Sequence, residues 1–218
     1  MKTSSERVFS LSSMITCMSD ILCVTNRRLC SGDFLTQLEK IAKARPAGII
    51  LREKDLSEEE YMDLAGKVMK ICTRAGVPCI LHSFPAAARK LHAEAIHLPL
   101  DLFLAMDEGD KASFRVIGVS CHSAEEAETA EKHGATYISA GHIFDTDCKR
   151  GVPGRGLAFL ETTCKAVSVP VYAIGGVSPE NIDAVRAAGA AGACIMSGLM
   201  RCKAPENYLN LLQEKTTA

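Results

Sequence analysis

From residue 21 onward, hydrophobic and polar positions alternate between two rhythms along the chain. Short apolar runs of strand length come first, each followed by a longer stretch with apolar residues three and four apart, the spacing of one helix face. The apolar runs fall at residues 21–25, 48–51, 77–81, 95–98, 115–120, 137–140, 170–174 and 193–196. The first amphipathic stretch starts near Gly32 and puts Leu35, Leu38, Ile41 and Ala42 on one side. The second opens with Ser57 and Glu60, the spacing of a capping box, carries Tyr61, Leu64, Val68, Ile71 and Cys72, and stops at Gly76. Later stretches start at Ser123, near Leu157, at Ser178-Pro179-Glu180, where the proline predicts a first helical turn, and near Pro205. The stretch at residues 100–105 predicts no more than an irregular turn of helix.

Runs that are apolar throughout, separated by helices, predict a parallel sheet covered on its faces. Eight such units in 218 residues fit a closed (β/α)8 barrel, a TIM barrel, as one domain over residues 21–218. An open doubly wound sheet needs a glycine-rich turn after an early strand. The segment after the first run, NRRLCSGD, is not one. Residues 1–20 have weak charge, scattered serines and no continuous apolar segment, and read as an N-terminal extension, in part without fixed structure. They lack the pattern of a secretory signal, and no run reaches the length of a membrane span, which makes the expected location cytoplasmic.

Composition narrows the partners. A formal net charge of −1 gives no basic field for nucleic acid or an anionic membrane, so an anionic ligand has to be met by local groups. The ten cysteines contain no C-x-x-C pair, and several sit inside apolar runs. They read as small buried hydrophobes, except Cys148, which stands in a polar loop.

In a barrel the working residues lie where strands end. The longest such segment is SAGHIFDTDCKRGVPGRG, residues 139–156. His142 follows the last apolar residue of the sixth run and a glycine, a position where a neutral imidazole can act as a base. Gly175-Gly176 and Ser197-Gly198 end the last two runs, where exposed backbone N–H groups and helix starts suit a phosphate. Arg52 and Lys54 end the second run. Of the other histidines, His82 and His122 follow strands and stand evenly between mouth and surface, while His92, His97 and His133 read as ordinary surface residues. No metal-ligand spacing stands out.

The segment GHIFDTDCKRG, with IGGVSPENI and AGACIMSG, resembles the thiamine phosphate synthase superfamily, and within it the TenI-type thiazole tautomerases. The resemblance spans about residues 21–200. It implies an isomerase of thiamine biosynthesis, one that aromatises 2-carboxythiazole phosphate by moving a proton from ring C2 to the exocyclic carbon. His142 is then the base, and Gly175, Gly176, Ser197 and Gly198 hold the phosphate. Arg52, Lys54 and Lys149 are candidates for the substrate carboxylate, with residues 146–150, Thr146 first, as a lid. No metal or cofactor is implied, the partner is the small thiazole phosphate, and a homo-oligomer is left open. The alternatives are a magnesium-dependent thiamine phosphate synthase and a regulator that only binds the thiazole phosphate. Against the synthase, His82-Ser83 stands where that branch carries Asn-Asp, Pro99-Leu100 where it carries Gly-Gln, and His142 where it carries proline.

Overall fold

The computed structural model describes residues 19–146 and 151–214. Eight strands close into a parallel barrel in sequence order. They are β1 (Ile21–Val24), β2 (Gly48–Leu51), β3 (Cys79–His82), β4 (Ala95–Pro99), β5 (Val116–Cys121), β6 (Tyr137–Gly141), β7 (Val171–Ile174) and β8 (Gly192–Ile195). Each lies within two residues of its expected apolar run. The main helices between them are α1 (Phe34–Lys43), α2 (Glu58–Ala75), α3 (Pro85–Lys90), α4 (Leu100–Ala105), α5 (Glu108–Lys111), α6 (Ala124–Lys132), α7 (Gly156–Ala166), α8 (Ile182–Ala187), α9 (Ser197–Arg201) and α10 (Pro205–Gln213). No helix among the described residues is long and apolar enough to cross a membrane.

Local chemistry explains most boundaries. The capping box forms as the spacing predicts, with Ser57 Oγ accepting from the Glu60 N–H and the Glu60 carboxylate accepting from Ser57. Gly76 closes α2 in the left-handed region, φ 67°. One expected start fails. Pro179 does not open a helix, and α8 begins three residues later at Ile182. Asn181 organises the intervening turn instead, its Oδ1 accepting from the Ser178 N–H and its Nδ2 donating to the Gly176 carbonyl. Asparagine satisfies the backbone there without a helix.

Two layers of apolar packing result. Outward strand residues such as Ile49, Leu51, Ile96, Leu98 and Val119 pack against the helices in one continuous core. Inside the barrel, Leu22, Val24, Ile50, Ile80, Val116, Tyr137, Tyr172 and Cys194 form a second cluster. Tyr137 crosses this interior over Gly118, where an added Cβ would lie 2.1 Å from the ring. The pole opposite the mouth is fastened by Arg186, which holds Asp20 through two bonds of 2.8 and 3.1 Å and donates to the Leu212 carbonyl at 2.6 Å. Ser19, just before β1, is also buried. The eight described cysteines are free thiols, and burial pushes those of Cys121 and Cys194 up to about 12. They are inert packing, as expected; Cys148 lies outside the described residues.

Candidate active site

The C-terminal ends of the strands enclose a cavity of about 370 Å³. Its wall collects Arg52 and Lys54 after β2, His82 of β3, Ser120 and His122 at the end of β5, Ser139, Gly141 and His142 from β6, Thr146, Gly175 and Gly176 after β7, and Ser197 after β8. Most residues singled out by strand position therefore meet in one place, including the two undecided histidines, His82 and His122. No carboxylate lines the cavity among the described residues, nor does any group of three His, Cys, Asp or Glu there stand ready for a metal ion. Lys149, proposed for the carboxylate, and most of the 146–150 lid lie outside the described residues.

His142 is held by main chain on several sides. Beyond β6 the chain keeps pairing with β7: the Ile143 N–H donates to the Ile174 carbonyl at 2.9 Å, and the Phe144 N–H to the Gly175 carbonyl at 3.0 Å. The returning segment closes on it, with Arg155 N–H donating to His142 O and Gly156 N–H to Ile143 O, both at 2.9 Å, and Gly154 N–H to Asp145 Oδ1 at 2.8 Å. The imidazole is buried, with Nε2 3.1 Å from the Val152 carbonyl. A carbonyl only accepts, so Nε2 carries the proton and Nδ1 is left with its lone pair. That Nδ1 is buried and has no hydrogen-bond partner among the described residues. A buried polar atom without a partner is uncommon and points to something the site is built to receive.

The glycines after β7 have a job that their turn geometry alone does not reveal. Gly175 (φ 97°) would place a Cβ 2.3 Å from His142 Cβ, and Gly176 (φ 67°) would place one 2.6 Å from the Asp145 carbonyl oxygen. They are bare because the His142 loop lies directly on them. Their backbone and the start of α9 at Ser197 form the end of the cavity expected to take phosphate. Gly198 stands beside that end. It does not line the cavity, and its missing side chain makes room for Tyr208, whose hydroxyl would be 2.4 Å from an added Cβ.

The opposite side of the cavity is cationic. Thr25 Oγ1 donates to Glu53 at 2.7 Å and accepts from the Arg52 N–H at 2.9 Å. The buried Glu53 carboxylate also takes the Arg27 N–H and guanidinium. This knot fixes the end of β2 so that Arg52 and Lys54, on either side of Glu53, face the cavity. Beneath them lies a polar floor. His82 and His97 are register partners on β3 and β4 and stack with ring centroids 5.6 Å apart. His97 bonds Tyr137 Oη through Nδ1 and Ser120 Oγ through Nε2, both at 2.8 Å. Burial, with Arg52 nearby, lowers His97 to about 3. Burial followed by the charges of His97, Arg52 and Lys54 holds His82 well below the ordinary range. Both rings are neutral near pH 7, leaving the two cations as the fixed charges of the cavity.

His97 is thus a correction, since it is buried inside the barrel and not on a surface. Its neighbours Ile96 and Leu98 belong to the outward core, so a run that looked uniformly apolar concealed an inward polar residue. The two-residue period of β4 was the available signal.

Fold and site together define a single-domain (β/α)8 barrel whose mouth brings together two cations, Arg52 and Lys54, and three imidazoles, His82, His122 and His142. The family model described as thiamine monophosphate synthase matches residues 21–199. A thiamine-phosphate synthase of Syntrophomonas wolfei is 34% identical over 182 residues, covering 81% of this chain and 86% of that protein. One from Bacillus licheniformis is 32% identical over 193 residues, with 86% of each covered. The solved thiamine phosphate pyrophosphorylase of Pyrococcus furiosus superposes with a TM-score of 0.78 at 24% identity, over 90% of this chain and 94% of that one. At that identity the likeness speaks for the fold. The chain belongs to the thiamine monophosphate synthase family. The names these relatives carry favour the synthase alternative over the isomerase.

Proposed function

We propose that this chain is a thiazole tautomerase of thiamine biosynthesis, an isomerase acting on 2-carboxythiazole phosphate. The observation that carries the reading is the buried, unpartnered Nδ1 of His142, a residue lining a cavity whose only fixed charges among the described residues are cations. The substrate phosphate lies against Gly175, Gly176 and Ser197, and its carboxylate turns to Arg52 and Lys54. Held at both ends, ring C2 is brought to His142, and positioning of this kind contributes much of the barrier reduction in a proton transfer. His142 Nδ1 takes the C2 proton. Charge that spreads onto the carboxylate as the C–H bond breaks meets the two cations, whose orientation is fixed before reaction. Thr146 closes the cavity at the loop side.

The synthase alternative, supported by the names of the relatives, requires a magnesium ion carrying a diphosphate. Magnesium takes carboxylate oxygens and water. Among the described residues the lining of this cavity offers imidazoles, hydroxyls and cations, a donor set that does not fit it. The test is direct. The purified protein is given the carboxythiazole tautomer in EDTA and in magnesium, and aromatisation is followed by proton NMR. Equal turnover in both supports the tautomerase. Magnesium-dependent formation of thiamine phosphate from hydroxymethylpyrimidine diphosphate and thiazole phosphate would establish the synthase in its place.

A further inference from the structure

A second imidazole lines the cavity and is unused by a scheme with one base. His122 Nδ1 lies 2.8 Å from the Gly141 carbonyl, the residue immediately before His142. That carbonyl accepts, so Nδ1 carries a proton and Nε2 is the atom left for a ligand. The two rings are fixed by backbone carbonyls in opposite senses: His142 is anchored through Nε2 and His122 through Nδ1. Their settings differ as well, His142 being buried and His122 exposed at the mouth.

Aromatisation removes a proton at one end of a conjugated system and adds one at the other. A single base has to carry the proton across the ring between two carbons that are not bonded to each other. We infer that His122 is a second catalytic residue, the acid that protonates the exocyclic carbon while His142 deprotonates C2. This rests on the tautomerase reading above. In the balanced step the C2–H bond breaks and its proton goes to His142 Nδ1. The released pair forms the C2–N3 π bond, the N3–C4 π pair moves to C4–C5, and the exocyclic π pair takes the proton from Nε2 of His122, which enters the step as the imidazolium, loaded at Nε2 from water and keeping its Nδ1 proton on the Gly141 carbonyl. His142 ends protonated and His122 neutral, and exchange with solvent restores both after product leaves.

The experiment uses substrate deuterated at C2 in ordinary water, with the intact protein and its H122N variant. Asparagine keeps a donor for the Gly141 carbonyl and removes Nε2. Wild-type product is expected to carry no deuterium at the exocyclic carbon. In H122N, kcat falls about 100-fold, in the range for loss of a general acid, with KM little changed. Its residual product gains the label, because His142 alone then moves the proton. Label transfer by the wild type, or H122N at the wild-type rate, overturns the pair and leaves the tautomerase standing. Absence of aromatisation by the wild type removes the tautomerase reading and the pair with it.

Discussion

Gly134 and Gly175 make a matched experiment, because both sit at φ 97° and only one has a neighbour in the way. Alanine at either position accepts the same unfavourable backbone, at about 1–2 kcal/mol. At Gly134 nothing lies within 4 Å of the new methyl. At Gly175 the methyl meets His142 Cβ at 2.3 Å and Cα at 2.8 Å. Neither atom can rotate away, so the loop itself must move, adding about 1–3 kcal/mol for overpacking. G134A should therefore lose about 1–2 kcal/mol and G175A about 2–5 kcal/mol in urea unfolding. Because the loop carries the proposed base, G175A should also lose turnover by about 100-fold, the effect of roughly 1 Å of misplacement. G134A, at the opposite end of β6, should keep it. Equal stability losses in the two variants, or wild-type turnover in G175A, would refute the claim that Gly175 is the seat of His142.

H142Q keeps a donor for the Val152 carbonyl while deleting Nδ1; turnover should fall by 100-fold or more, about the contribution of a general base, with an unchanged melting temperature, and a variant of normal activity would exclude His142 as the base. R52A should lower kcat/KM about 10- to 100-fold through the lost charged hydrogen bond, and NMR titration should show His82 and His97 moving up toward ordinary values once that cation is gone. His97, at about 3 in the native state against an ordinary 6.5, gives stability a defined acid limb. Between those values the unfolded chain binds a proton that the native chain does not, so stability falls as pH drops from about 6.5, by up to about 1.4 kcal/mol per pH unit for one such histidine. His82 adds in the same direction, and urea midpoints at pH 6.5 and 5.0 measure the sum above the range where carboxylates titrate; a flat profile there, or one unchanged by H97N, would contradict the buried neutral pair.

The barrel was legible because parallel strands buried on both faces leave apolar runs whose ends can be placed to a residue or two. The mouth was legible for a related reason: polar residues that interrupt such a run at its C-terminal side have little else to do there. Arg52, His82, His122, His142 and Gly175 were all reachable this way. What could not be read depends on contacts distant in sequence. At Gly198, only the approach of Tyr208 in α10 shows why a side chain is excluded. Gly175 and Gly176 were read as phosphate-binding backbone, and only the path of residues 142–145 shows why side chains are excluded there. His97 escaped because so short a run was read as apolar throughout, although the two-residue period that turns Ile96 and Leu98 outward turns His97 inward. Pro179 misled for another reason, since Asn181 offers the backbone a competing set of hydrogen bonds.

The continued pairing of residues 143–144 with the end of β7 separates the track of the chain from the chemistry it presents. Those bonds run main chain to main chain, and the close approaches at Gly175 and Gly176 fall on Cα, Cβ and carbonyl atoms. None depends on what lies beyond the Cβ of residue 142. A side chain there can be exchanged for one of different reactivity while the loop, the neighbouring strand and the anion-binding end keep their places. The barrel holds residue 142 in a socket, and one codon there can change the side chain offered to the cavity without rebuilding the loop that carries it.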